Sequence, residues 1–190
     1  EMSASLVGSE MCIRDRYEED LSADEDRRIL GCAQPKFLYG INNVFSYKNF
    51  DLSFFFQGSY GNDIYNATRM FTEGMFDSRN QSDRVLMRWR NPGDYTTVPR
   101  AEKDKYPAIS SRFVEDGSYL RVKNITLSYT FPKQWLQKLQ IENARLSLSC
   151  ENVATITGYS GFDPEVDING IDLSRYPISR TFSVGLNFNF

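Results

Sequence analysis

Histidine is absent from the 190 residues. That one absence removes the commonest general base, the usual zinc ligand and every Ser-His-Asp arrangement. Cysteine is scarce: Cys12, Cys32 and Cys150 are odd in number and far apart, without paired metal-ligand spacing, and supply no disulfide framework. Positive charge is not in excess. A net charge of −3 and a pI near 5.1 exclude the basic field that nucleic-acid binding requires. No run of 18 apolar residues exists to make a transmembrane helix, although barrel strands, being only half apolar, need none. Tryptophan occurs twice against 14 Phe and 11 Tyr, a β-rich balance in a chain that is 41% hydrophobic.

What is present is alternation, clearest in the last stretch, Arg180 to Phe190. Phe182, Val184, Leu186, Phe188 and Phe190 share one face, and Thr181, Ser183, Gly185, Asn187 and Asn189 share the other. A strand with one wholly apolar face and one small polar face sits between two different solvents. In a soluble sandwich the apolar side meets another sheet; in an outer-membrane barrel it meets lipid. The length suits the roughly 9–11 residues of a spanning barrel strand.

Four earlier segments carry the same period. Lys36 to Tyr47 and Phe50 to Tyr60 form a hairpin about a Lys48-Asn49 turn, with Phe50, Leu52, Phe54 and Phe56 on one face of the second strand. Tyr119 to Phe131 sets Ile125, Leu127 and Tyr129 against Asn124, Thr126 and Ser128. Arg121 and Lys123 fall on its apolar parity, so they lie beyond the lipid or a bulge shifts the register. Ala144, Leu146, Leu148 and Cys150 alternate with Arg145, Ser147, Ser149 and Glu151. The outward, membrane-facing set is therefore Phe50, Leu52, Phe54, Phe56, Ile125, Leu127, Tyr129, Leu146, Leu148, Phe182, Val184, Leu186, Phe188 and Phe190. Pro132 to Glu142 reads as a turn holding a single helical turn, with Trp135, Leu136 and Leu139 on one side.

Two long stretches interrupt the pattern. Gly61 to Gly117 contains a short helix over Ser82 to Arg90, capped by Ser82 or Asp83 and stopped by Asn91-Pro92. Around it Arg84, Arg88, Trp89, Arg90 and Tyr95 are candidates for a sugar- or peptide-binding surface, weighed against simple packing of the loop on itself. Thr157 to Ile178 contains Asp163, Glu165, Asp167 and Asn169 at alternate positions ahead of Gly170, a loose imitation of a calcium loop without its final glutamate. Carboxylates so close in sequence on one loop rarely flank a glycosidic bond, so no catalytic, cofactor or metal site is expected and the chain is read as no enzyme. With Phe190 on the periplasmic side, both short turns fall inside and both long loops outside, the asymmetry of outer-membrane barrels.

Residues 1–16 fit neither a signal peptide nor the β pattern, and Ser5 to Arg16 resembles translated sequencing-adapter read-through. They are set aside as a non-native leader, which leaves residues 17–190 as the barrel portion. Tyr17 to Leu30 is an acidic-then-basic loop.

Phe37-Leu-Tyr-Gly-Ile-Asn-Asn, Asp51-Leu-Ser-Phe-Phe-Phe-Gln-Gly-Ser-Tyr-Gly, Ser111 to Tyr129 and Tyr159-Ser-Gly-Phe-Asp-Pro-Glu together resemble the C-terminal part of SusC/RagA-type TonB-linked outer-membrane proteins of Bacteroidetes. The resemblance implies an all-β, antiparallel up-and-down transmembrane barrel, here a C-terminal portion with about five strands of a closed ring that needs about eight or more. It also implies an outer-membrane location and import of oligosaccharide or peptide. A SusD-like surface lipoprotein would act as lid, and the TonB complex would supply energy through an N-terminal plug and TonB box that this sequence does not carry. A soluble β-sandwich that binds carbohydrate is the alternative.

Overall fold

The computed structural model describes residues 2–5, 27–103, 109–137 and 141–189. Among these described residues, ten strands and two short α-helices follow in the order β1 (Met2–Ser5), β2 (Arg27–Gly31), β3 (Phe37–Tyr47), β4 (Phe50–Tyr60), β5 (Asp63–Asn66), α1 (Ala67–Glu73), β6 (Val114–Asp116), β7 (Tyr119–Thr130), α2 (Lys133–Leu136), β8 (Asn143–Thr157), β9 (Ile171–Asp172) and β10 (Thr181–Asn189). They form two compact units. One gathers the described residues within 36–60, 118–158 and 177–190, and the other those within 1–35, 61–117 and 159–176.

The first unit is a five-stranded antiparallel sheet in the order β10-β8-β7-β4-β3, a meander with β3 and β10 outermost. The five strands expected from alternation are the five that pair. The hairpin turns at Lys48, whose φ of 54° is the left-handed conformation that tight two-residue hairpin turns require. Because Phe50 pairs with Tyr129 and Asn189 with Asn143, both short connections and the end of β10 lie at one end of the sheet. The long connections leave from the other end. On the apolar face Tyr39 stands opposite Gly58, its ring over the space a Cβ would occupy and its hydroxyl donating to the Tyr119 carbonyl at 3.2 Å. An aromatic ring laid over glycine restores packing that the missing side chain cannot give.

A bulge crosses the sheet in place of strict alternation. Asn124 pairs with Phe55 and Val122 with Phe56, which leaves Lys123 as an extra residue on β7. On the other side Asn124 pairs with Glu151 and Val122 with Ala154, so Lys123 faces both Asn152 and Val153. Parity on β7 is exchanged there. Val122 and Leu120 join Phe56 and Gly58 on the apolar side, while Arg121 joins Gln57 on the polar side. Of the two resolutions the sequence allowed, the structure takes the bulge. β8 bends through Asn152, at φ 53°, and continues to Thr157, six residues past the expected end.

The second unit was expected to be loop with a single helix, and it has its own fold. β5 pairs antiparallel with β6 and parallel with β9, so the two long connections share one small sheet. α1 follows β5 at once. The Asn66 side chain caps it by accepting the Arg69 N–H at 2.8 Å. Tyr65, Ala67 and Phe113 form the core, with Met70, Phe71 and Val114 packed against them. The helix expected over Ser82 to Arg90 is a 3-10 helix confined to Asp83–Met87, capped by Ser82 and ended where Arg88 turns extended. β1, within the stretch set aside as leader, pairs with β2, which forms a strand at the end of the Tyr17 to Leu30 stretch expected to be loop; residues 6–26 lie outside the described residues. In α2 Leu136 is buried and Trp135 is 62% exposed, so the two do not share a side as expected, and Leu139 lies outside the described residues.

Asn tolerates the left-handed region where a β-branched residue does not. Asn152→Val is expected to cost about 1–2 kcal/mol, and Asn152→Gly to restore most of it, read from denaturant unfolding midpoints of the detergent-folded protein.

Candidate functional site

Three surfaces carry chemistry. On the sheet's apolar face the strand register lines side chains up in rows. Phe50, Tyr129, Leu146 and Leu186 make one row; Leu52, Leu127, Leu148 and Val184 the next; Phe54, Ile125, Cys150 and Phe182 a third. Phe56 continues the face beside Val122, and Phe188 lies opposite Ala144. These rows are open: Phe182 is 75% exposed, Val184 72% and Leu186 61%. Contiguous apolar area on this scale marks a surface made to be covered by something apolar. Phe190 lies outside the described residues.

The opposite face is polar and internally bonded. Arg121 is buried, its Nε donating to Thr155 Oγ1 at 2.9 Å and its guanidinium 5.5 Å from the Tyr119 ring. Arg145 reaches across β7 to Asp51 at 2.9 Å, and Ser46 Oγ donates to the same carboxylate at 2.7 Å. Ser147 Oγ donates to the Gly185 carbonyl.

The third surface belongs to the second unit, where charge is organised around Glu73, 1% exposed. Its carboxylate takes Arg69 Nε at 2.7 Å, Arg112 Nη2 at 2.8 Å and Arg84 Nη1 at 3.5 Å. Arg69 also donates to Glu115 at 3.1 Å. Glu115 in turn accepts the Ser160 N–H at 2.9 Å, Ser160 Oγ at 2.8 Å and Asn66 Nδ2 at 3.2 Å. The first long connection is thus bonded to the second. Burial alone would raise the Glu115 pKa, but the Ser160 and Arg69 hydrogen bonds outweigh it and hold the carboxyl below the usual range. Burial likewise disfavours charge on Arg69, and Glu73 and Glu115 more than offset this, so its pKa is raised. Nearby, the Tyr159 hydroxyl donates to Asp172 at 2.7 Å, and burial followed by that bond pushes its pKa far up.

The residues singled out by sequence are placed as follows. Arg88 and Arg90 each turn a guanidinium back to a carbonyl of their own turn, Val85 and Leu86 respectively. Trp89 is half-buried with its backbone N–H on the Val98 carbonyl, and Tyr95 is 92% exposed. Asp163 and Asp167 accept the backbone N–H groups two residues on, at Glu165 and Asn169, which is the geometry of Asx turns. Among the described residues no group of three or more Cys, Asp or Glu is gathered so as to hold a metal ion. Alternation could not have found the Glu73 and Glu115 network. An N-cap signal could have: Asn66, then Arg69 and Glu73 four apart, then Gly74 spell a short capped helix.

TonB-dependent receptor P3 of Formosa agariphila is 38% identical over 177 residues, 87% of this chain and 17% of that protein. TonB-dependent receptor SusC of Bacteroides thetaiotaomicron is 32% identical over 163 residues, 80% of this chain and 15% of that protein. The solved RagAB peptide transporter superposes on the chain with a TM-score of 0.82 and 25% identity, over 100% of this chain and 22% of that one. The chain belongs to the SusC/RagA-type TonB-dependent receptors. No protein-family profile matches it. It spans less than a fifth of the length of these curated relatives. Like them it is an outer-membrane β-barrel protein, and its open five-stranded sheet is part of such a SusC/RagA-type barrel. The relatives are receptors and transporters, and the soluble carbohydrate-binding sandwich is not favoured.

In this receptor segment Glu73→Gln leaves three arginines around a neutral amide. Removing one partner of a buried pair costs ~3–5 kcal/mol, and the partial exposure of the arginines reduces the expected loss to about 2 kcal/mol. The measurement is amide exchange across residues 62–76. Because the Glu115 pKa is lowered on folding, its contribution is complete above the ordinary carboxylate range and is lost as pH falls through the folded value. Exchange at Ser160, corrected for intrinsic rate, is expected to quicken on acidification in the parent and to lose that dependence in Glu115→Gln.

Proposed function

We propose that the chain supplies part of the barrel wall and the outer loops of a TonB-dependent importer of oligosaccharide or peptide. The observation that carries this reading is the division of labour within one chain. A sheet has one open apolar face and one bonded polar face, and the connections leaving its far end pack into a unit of their own. Lipid covers the apolar face through Phe50, Leu52, Phe54, Phe56, Ile125, Leu127, Tyr129, Leu146, Leu148, Phe182, Val184, Leu186, Phe188 and Phe190. Ser, Thr and Asn residues opposite them keep a wet path, and no residue needs to break a bond.

Residues 17–190 make up this barrel portion, and residues 1–16, of which β1 pairs with β2, are a non-native leader to it. The loop unit faces outward, where Arg88, Trp89, Arg90 and the exposed Tyr95 offer substrate contacts and a SusD-like lipoprotein closes over it. The likeness to a RagAB assembly, a peptide transporter, supports both the lid and the peptide alternative. Energy comes from the TonB complex through parts of the receptor outside this chain.

Arginine substitutions test the assignment of faces in the full receptor. Leu127→Arg or Val184→Arg puts charge into lipid, at a cost of about 2–4 kcal/mol near the midplane, and is expected to deplete folded receptor from the outer membrane. Thr126→Arg and Ser183→Arg, one residue away, are expected to leave its abundance unchanged and alter uptake alone. Equal depletion by both pairs would contradict the assignment.

A further inference from the structure

The apolar face is not uniformly flat. At the end of the sheet that carries the short turns, Phe50, Leu127, Tyr129, Phe131, Leu146 and Leu148 line an open groove of about 350 Å³, within the ~300–1,000 Å³ span of ligand clefts. One side of it is a run of rings. Phe50 and Tyr129 have centroids 4.7 Å apart, Tyr129 and Phe131 meet edge-on at 5.2 Å, and Phe131 lies 6.4 Å from Trp135. Leucines supply the rest of the lining, so apart from the Tyr129 hydroxyl the groove is apolar.

Two cations flank its lining residues along the chain. Lys133, exposed, opens α2 two residues after Phe131. Lys48, exposed, occupies the turn two residues before Phe50, its Nζ 5.2 Å from the Tyr47 ring centroid. Asp51, at this end, is bonded to Arg145 and Ser46 on the polar face. Tyr47 and Trp135, amphipathic and exposed, occupy the level where such rings meet lipid headgroups.

We propose that this groove is a binding site for one glycerophospholipid, an acyl chain lying between the ring run and the leucines and the phosphate resting on Lys133 and Lys48. Charge complementarity and continuity with the lipid-covered face select this occupant over a soluble apolar ligand or a protein segment. The site rests on the barrel-wall reading above and adds a particular lipid to it.

The test is native mass spectrometry of the full receptor extracted from outer membranes in mild detergent and titrated with palmitoyl-oleoyl phosphatidylglycerol. One lipid is expected to stay bound through activation. Lys48→Gln with Lys133→Gln is expected to reduce retention at least about fivefold, since each cation near a phosphate is worth about that factor. Leu148→Trp, which fills the groove, is expected to do the same, and Val184→Trp, on the same face outside it, to leave retention unchanged. Retention by both altered receptors equal to the parent, retention of uncharged diacylglycerol to the same degree, or retention of lipopolysaccharide instead would overturn the site. Receptor that inserts and takes up substrate yet holds no lipid defeats this proposal alone, whereas receptor missing from the outer-membrane fraction defeats the barrel-wall reading with it.

Discussion

Parity governs a strand with two solvents: each residue belongs to one face, and one inserted residue moves all that follow to the other. The bulge at Lys123 uses this rule. Below it, β7 presents Ile125, Leu127 and Tyr129 to the apolar side; above it, the same strand presents Leu120 and Val122 there, and Arg121 turns to the polar side to bond Thr155. Without that slip a guanidinium would stand in the apolar rows. With it, β4, β7 and β8 run on past the apolar rows to the ends where the long connections leave. Asn152 accepts the matching distortion on β8 in a backbone conformation open to few residues.

The second unit obeys different physics. Its core is small, centred on Tyr65, Ala67 and Phe113, and much of its definition comes from charge. Glu73 is acceptable in a buried position because three guanidinia surround it, and Glu115 passes that order on to Ser160 in the other connection. Such networks add little net stability against an apolar core, but they tolerate few alternative arrangements. A surface that must hold a fixed shape without a large hydrophobic interior is suited to that trade.

Much of this was legible beforehand. All five strands of the large sheet, the Lys48 turn and the separation of faces follow from period-two alternation, because both faces of a barrel wall are constrained by their solvents. The residues that carried the resemblance, from Phe37 to Glu165, proved to lie in both units. What alternation missed was non-local: β5, β6 and β9 are four, three and two residues long, too short to show a period, and β9 pairs with a strand about a hundred residues earlier. The strand end at Glu151 was misplaced for a related reason, since a bulge breaks the pattern that would have extended it.

The parallel pairing of Tyr65 with Ile171, together with the Glu115 to Ser160 bonds, has an evolutionary corollary. Neither long connection can be exchanged for a foreign one without stripping partners from the other. Diversification of these two segments should therefore proceed as a joint cassette, with changes on one matched by changes on the other.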